Sequence, residues 1–280
     1  MTANISPETR AAWQVPAFDV PLWKGRRHSY CVVIPVINEG DRIKSLLRRM
    51  QAAHIAEMSD IIIVDGGSTD ESLVLDMLDS LDVRGVLIKT GGGKLSAQLR
   101  CAYAYALEQG YSGIITIDGN NKDDPTAIHK FKVTLEQGYD FVQASRYIIG
   151  GVADNTPKIR DIAIRFIHAP VLSLFSGFRW TDTTQGFRGY SRKLLLAPEI
   201  APFRDVFNGY ELLAYLSYRA PRLGYRCIEL PTVRRYPADG AVPTKISAFK
   251  GNWSVMRVLV NACLGAYDPR PAQILGQRPQ

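Results

Sequence analysis

From residue 29 to about 145 the chain repeats one unit: a short β-branched run, a polar loop, then a stretch with helical spacing. The runs are "CVVIP", "DIIIVD", "VRGVLIK", "SGIITID" and "DFVQAS"; "DRIKSLLRRMQ", "KLSAQLRCAYAYALEQG" and "PTAIHKFKVTLEQG" are among the helical stretches. Parallel neighbours need a long crossover between them, so this alternation implies an α/β fold, a mostly parallel sheet with helices on both faces. "CVVIP", "IIIVD" and "GIITID" are apolar throughout, as strands covered on both sides are. Open sheets of this class bind ligands outside the carboxyl ends of their strands, so the residues after each run are where chemistry is expected.

Beyond about residue 150 the regularity fails. "GGVADNTPKIRD" reads as a loop, Ile159 to Phe178 as one long helix, "GFRGYS" as a short strand, the segment around Glu211 as a helix and "RCIELPTV" as a strand. A closing amphipathic helix follows, and no repeat or linker separates the halves. The expected division is an extension over 1–28, a catalytic domain over 29–236, and a C-terminal helix and tail over 237–280.

Composition narrows the function. A net charge of +7 favours an anionic partner: nucleic acid, a nucleotide, a phospholipid surface or a phosphorylated lipid. The basic residues are scattered and no nucleic-acid-binding motif is present, so sequence-specific nucleic-acid binding is not expected. Cys31, Cys101, Cys227 and Cys263 lie far apart in apolar stretches, with no CxxC pair, and read as packing residues in a reducing cytoplasm. The N-terminus carries prolines and charges where a secretory signal needs an apolar core. No apolar run reaches the roughly 18 to 20 residues of a spanning helix. His28, His54, His129 and His168 have no ligand-like spacing and read as incidental.

Three strands end in acids or amides: "IPVINEGDR", "VDGGSTDES" and "IDGNNKDDP". Asp124, followed by Pro125, suits a helix cap, as does the Ser68–Thr69 pair. Asp65 and Asp118 precede those caps, where capping does not need them, and read as functional. "TGGGKLSAQLR" resembles a phosphate loop but fails its signature, with Ile88 at the first required glycine and Leu95 where Ser or Thr should bind magnesium. What survives is Lys94 at a helix start, able to reach a diphosphate.

"VVIPVINEG", "IIIVDGGSTDES", "GGGKLSAQLRCAYAYA", "ITIDGNNKDDP", "QASRY" and "DTTQGFRGYSRKLL" together resemble glycosyltransferase family 2, in its dolichyl-phosphate mannose synthase-like branch, over roughly residues 29 to 236. The resemblance implies a Rossmann-like glycosyltransferase fold of the A type, a nucleotide-diphosphate sugar donor, inversion at the anomeric carbon and a divalent metal, Mg2+ or Mn2+. It places Pro35, Asn38, Glu39 and Asp65 at the nucleoside, and Arg146, Gln185 and Arg188 around the phosphates and sugar, with Gly186 and Phe187, beside Lys94 at the diphosphate. Asp118 also falls among the donor-binding residues, and Asp118 with Asn120 falls on the metal motif, where Asn120 departs from the usual second aspartate and brings one charge fewer.

The acceptor implied is a polyprenyl phosphate or a hydroxyl of a glycan or small molecule. A hydroxyl needs a general base, for which Asp182 is the first choice and Glu211 the second. A lipid phosphate is already ionised and needs only cations to position it, such as Arg146, Arg188 and Lys245. Lys245, Lys250 and Arg257 beside Trp253 would suit a helix lying on anionic lipid, against the alternative of a helix packed on the core. The expected location is therefore cytoplasmic, with attachment to the inner membrane face. Two rivals remain: a sugar-phosphate nucleotidyltransferase, which would need a glycine-rich loop absent from "IPVINEGDR", and a catalytically silent nucleotide-sugar binding protein.

Overall fold

The computed structural model describes residues 5–237 and 250–270. Eight strands form one sheet: β1 (Phe18–Trp23), β2 (Tyr30–Val36), β3 (Asp60–Asp65), β4 (Val83–Lys89), β5 (Gly113–Thr116), β6 (Phe141–Ser145), β8 (Arg188–Ser191) and β9 (Cys227–Pro231). Their order is β1-β4-β3-β2-β5-β8-β6-β9, and a separate pair joins β7 (Val152–Asp154) to β10 (Val233–Arg235). In the large sheet only β1 and β8 run against the rest. The fold is the expected one, a mostly parallel sheet between helices.

Continuous apolar runs account for the middle of the sheet. Every residue of β3 and β5 is buried, as is every residue of β2 after Tyr30. Two clusters result, one under the helix Leu95–Glu108 and one under Asp41–Ala52 and Ile128–Glu136. The order turns back between β2 and β5, which opens a crevice at their carboxyl ends.

Residues 5–28 are part of this body rather than an extension of it. β1 pairs antiparallel with β4, and Trp13 is buried with its ring stacked on Phe203. Ile159 to Phe178 is not one regular helix: Lys158–Ala163 and Ala169–Ser176 are α-helical, with a widened π turn over Ile164–His168. Pro170 explains the interruption, since it has no N–H for the regular ladder and its ring crowds the preceding turn. Part of "GGVADNTPKIRD" is strand rather than loop, because β7 pairs with β10.

The helix Lys250–Cys263 packs on Ala169–Ser176 and Glu211–Arg222, with Leu259, Ala262 and Cys263 in the core. That is the core-packed reading of this segment. Arg257 is exposed, whereas Lys245 and the side chains of Lys250 and Trp253 lie outside the described residues.

Candidate active site

A cleft of about 900 Å³ opens at the carboxyl edge of the sheet. Its charged lining is formed by the loops after β2, β4 and β5, including Pro35, Glu39, Lys94, Asp118, Asn120 and Lys122. Apolar walls come from the helices that cover the cleft, with Ala163, Ile164, Leu172, Leu213, Val258 and Leu259. His168, which the sequence reading set aside, also lines the cleft. Burial lowers its pKa, so its neutral form faces the apolar wall.

The strand-end loops hold one another in place. Asp65 accepts hydrogen bonds from the Ser68 backbone (3.0 Å) and hydroxyl (2.6 Å). Asn38 donates its backbone N–H to Ser68 Oγ at 3.0 Å and accepts from Thr69 N at 2.7 Å. Gln98 ties both strands together by donating to the carbonyls of Val36 and Val64 at 2.9 and 2.5 Å, a role with no sequence signal. Glu39 accepts from Arg42 Nε at 2.8 Å.

Lys94 is exposed and lines the cleft, as expected. The backbone beside it is not an open anion cradle, however. Lys94 N donates to Asn208 O at 2.8 Å and Ser96 N to Gly209 O at 2.7 Å, so protein carbonyls occupy the helix start. Gly93 permits this contact: at φ +94° a Cβ would sit 3.0 Å from Asn208 Oδ1 and closer still to Ala97.

The two carboxylates expected as general base have other work. Asp182 is 0% exposed, accepts from Arg146 Nε and Nη2 at 2.6 and 3.0 Å, and accepts from Gln185 Nε2 at 2.5 Å. Burial pushes its carboxyl pKa up, but Arg146 and Gln185 more than reverse this and hold it low. A base so buried and so stabilised as an anion is a poor proton acceptor, and Asp182 instead fixes the segment that presents Thr183, Thr184 and Gly186 to the cleft. Glu211 accepts from the backbone N–H groups of Asn208 and Gly209, which makes it a brace for that loop.

Arg188 lines the cleft, but its guanidinium is largely engaged by the protein. It is 1% exposed, and its guanidinium donates to the carbonyls of Gln185, Leu213 and Thr183 and to Ser217 Oγ at 2.6 to 3.1 Å. With those donors spent, it staples the cleft floor to the helix Glu211–Arg222. Arg146, Asp182 and Gln185 therefore come together beneath the floor rather than on it, with Asp182 away from the acceptor position expected of a base.

Asp118 stands at the junction of β5 and the crevice. Its Oδ2 accepts from Arg234 Nη2 at 3.2 Å and from Asn120 Nδ2 at 3.4 Å, while Asn120 Oδ1 accepts from Lys122 N at 3.2 Å. A Cβ on Gly186 would fall 2.1 Å from Asp118 Oδ1, so only glycine lets the floor approach this carboxylate. Arg234 also pairs with the buried Asp123. Burial alone would lower the Arg234 pKa, but Asp123 and Asp118 outweigh it and keep the guanidinium charged.

Lys122, only 6% exposed, lies over the Tyr236 ring at 4.7 Å. Its pKa is pushed down to about 8, first by burial and then by Arg234. Burial would raise the Tyr236 pKa, but Arg234 and Arg160 bring it to about 8. Arg160 donates to the Tyr236 hydroxyl at 3.0 Å. Lys122, Arg160 and Arg234 are thus site cations that the sequence reading missed, because each lies outside the quoted motifs or inside one without a role.

This donor set does not fit a divalent cation well. Such ions are held by one or two carboxylates together with substrate phosphates, whereas here the one carboxylate, Asp118, is engaged by Arg234, Asn120 supplies an amide, and Lys122 and Arg234 bring positive charge beside them. Among the described residues no group of three or more acids, histidines or cysteines converges as a metal site.

Known proteins agree with the architecture. The family model described as glycosyl transferase family 2 matches residues 31–196. The chain is 26% identical over 203 residues to the polyprenol monophosphomannose synthase of Mycolicibacterium smegmatis, covering 71% of this chain and 75% of that one. It is 26% identical over 206 residues to the undecaprenyl-phosphate mannosyltransferase of Micrococcus luteus, covering 71% and 80%. Among solved structures it is similar to glucosyl-3-phosphoglycerate synthase from Mycobacterium tuberculosis in complex with Mn2+ and UDP, with a TM-score of 0.55, 18% identity, and coverage of 86% and 81%. Mannosyl-3-phosphoglycerate synthase from Rubrobacter xylanophilus gives a TM-score of 0.59 at 14% identity, with coverage of 86% and 76%. These structural neighbours carry the fold, the A-type arrangement of glycosyltransferases. The family match spans β2 to β6 and the Asp118 loop that build the charged lining of the cleft, and the chain belongs to glycosyltransferase family 2 as a glycosyltransferase.

Proposed function

We propose that this enzyme transfers a sugar from a nucleotide-diphosphate sugar to a polyprenyl phosphate, with inversion at the anomeric carbon. The observation that carries the reading is the mixed lining of the cleft, charged side chains at the strand ends and apolar ones from the covering helices, which suits an acceptor that is itself an anionic head on a hydrocarbon chain. The names of the relatives support it, since both act on polyprenyl phosphates.

The donor lies with its nucleoside over Pro35, Asn38, Glu39 and the loop held by Asp65, and its diphosphate toward Lys94 and Asp118. A phosphate oxygen of the acceptor attacks the anomeric carbon, a new carbon–oxygen bond forms, and the bond to the nucleoside diphosphate breaks with its electron pair leaving on the diphosphate. The nucleophile is already an anion, so no proton need be removed. The engagement of Asp182 and Glu211 elsewhere is consistent with that economy. What the site must supply is fixed positive charge where the diphosphate departs.

The acceptor reaches the cleft from a membrane surface. Among the described residues no helix is long and apolar enough to cross a bilayer. The segment 158–176, which contributes apolar walls to the cleft, turns Phe166 and Leu174 outward, with Lys158 and Arg179 exposed nearby in sequence. Apolar side chains rimmed by cations suit an anionic lipid face.

The test is label transfer from a panel of nucleotide-diphosphate sugars to polyprenyl phosphate in mixed micelles, beside free glycans and water as acceptors. Inverted polyprenyl-phosphate sugar is the expected product. Transfer to a hydroxyl acceptor alone, or hydrolysis alone, would reject the lipid-phosphate assignment.

A further inference from the structure

The acid expected to hold a metal is surrounded by cations. Asp118 and the buried Asp123 are both bound by Arg234, and Lys122 follows Asn120 by two positions on the same loop. Arg160 reaches the group from the opposite wall, through Tyr236. Lys122, Arg160, Arg234 and Tyr236 all line the cleft alongside Asp118 and Asn120. A divalent ion entering here with the donor phosphates would find a single carboxylate already paired with Arg234, and an amide, and would compete with that fixed positive charge for the same oxygens. A diphosphate in the cleft would meet Lys122 and Arg160 together with Arg234, whose charge is shared with Asp118 and Asp123.

We propose that this chain binds and activates its donor without a divalent cation, with Lys122, Arg234 and Arg160 carrying the diphosphate charge, unlike the neighbour solved with Mn2+ and UDP. The inference rests on the transferase reading, because it concerns the same diphosphate. Asp118 then serves to orient Arg234 and Asn120 rather than to ligate an ion. Asn120 in place of a second aspartate is part of the same design: another carboxylate would neutralise the charge the cluster provides.

Calorimetry of the full chain with UDP and GDP, in excess EDTA and then in Mn2+, tests this directly. The expected result is binding of at least one nucleotide with the same affinity in both conditions, within about threefold, less than the tenfold that 1.4 kcal/mol makes. Lys122→Gln is expected to weaken that binding about 10- to 100-fold in EDTA, the loss of one charge-assisted hydrogen bond. Because Lys122 is buried, its melting temperature is measured alongside, and Arg160→Gln on the cleft wall serves as the second variant. The double variant Asn120→Asp/Lys122→Gln, which restores an acid pair and removes a cation, is expected to bind nucleotide only with Mn2+. Native binding that is lost in EDTA and restored by Mn2+ would overturn the metal-free assignment while leaving the transferase intact, as would unchanged affinity in both single variants. No binding of either nucleotide under either condition would overturn the transferase reading and the inference with it.

Discussion

Asp182 and Asp118 end up in opposite circumstances although both are acids beside the same strand edge. Asp182 is sealed under the cleft floor and neutralised by one bidentate arginine, whereas Asp118 borders the cleft and shares Arg234 with Asp123. Their sequence surroundings, "WTDTTQ" and "TIDGNN", do not reveal this, because the deciding partner is 36 residues away for Asp182 and 116 away for Asp118. The difference predicts distinct mutant behaviour. Asp182→Asn leaves a buried guanidinium uncompensated, which costs about 3–5 kcal/mol. A drop in melting temperature on the order of 10 °C is expected, with turnover falling only as the fold loosens. Scanning calorimetry decides: an unchanged melting temperature with lost turnover would return Asp182 to the role of general base. The pH dependence has a definite sign. The Asp182 carboxyl is held below its ordinary 3.8, so the pair's contribution is present above that value and is lost as pH falls toward the folded-state pKa.

Among the elements, those whose pattern is local were legible and those whose partners are distant were not. β2, β3 and β5 announce themselves as continuous apolar runs, and the helix Leu95–Glu108 as a long unbroken stretch between "GGGK" and Gly110. β1, "FDVPLW", is half exposed, carries a proline and lies at the sheet edge, where such a strand is tolerated but gives little signal. β8 was legible as a strand, yet its antiparallel insertion between β5 and β6 rests on pairings that no local pattern encodes. The helix Lys250–Cys263 shows the ambiguity of an amphipathic stripe, which can face lipid or core. Here the core takes it, and the consequence is measurable. Leu259→Ala is expected to cost about 2–5 kcal/mol, the range for truncating a buried leucine. Leu264→Ala, one turn on and 70% exposed, is expected to stay within about 0.5 kcal/mol. Denaturant titration of both variants checks the assignment, and equal small losses would show that this helix does not pack as described.

For the molecule as a whole, the face formed by the segment 158–176 joins chemistry to location, because it borders the cleft on its inner side and presents Phe166, 69% exposed, and Leu174, 80% exposed, on its outer side. An acceptor with a long hydrocarbon tail cannot leave its bilayer cheaply, since each methylene brought into water costs about 0.8 kcal/mol. If the acceptor is a polyprenyl phosphate, as proposed, the enzyme comes to the lipid, with the apolar walls of its cleft toward the surface. On this reading the chain co-sediments with anionic vesicles at low ionic strength and releases as salt screens the basic rim. Phe166→Asp/Leu174→Asp is expected to abolish the association, because two side chains worth about 1.5–3 kcal/mol each on insertion are replaced by charges that the anionic surface repels. Both positions are exposed, so the melting temperature and nucleotide affinity should hold, which separates loss of docking from loss of fold. Transfer to polyprenyl phosphate in vesicles should then fall with the association, while transfer to a short-chain, water-soluble analogue persists. If the double variant binds vesicles as well as the native chain, the membrane face lies elsewhere on the molecule.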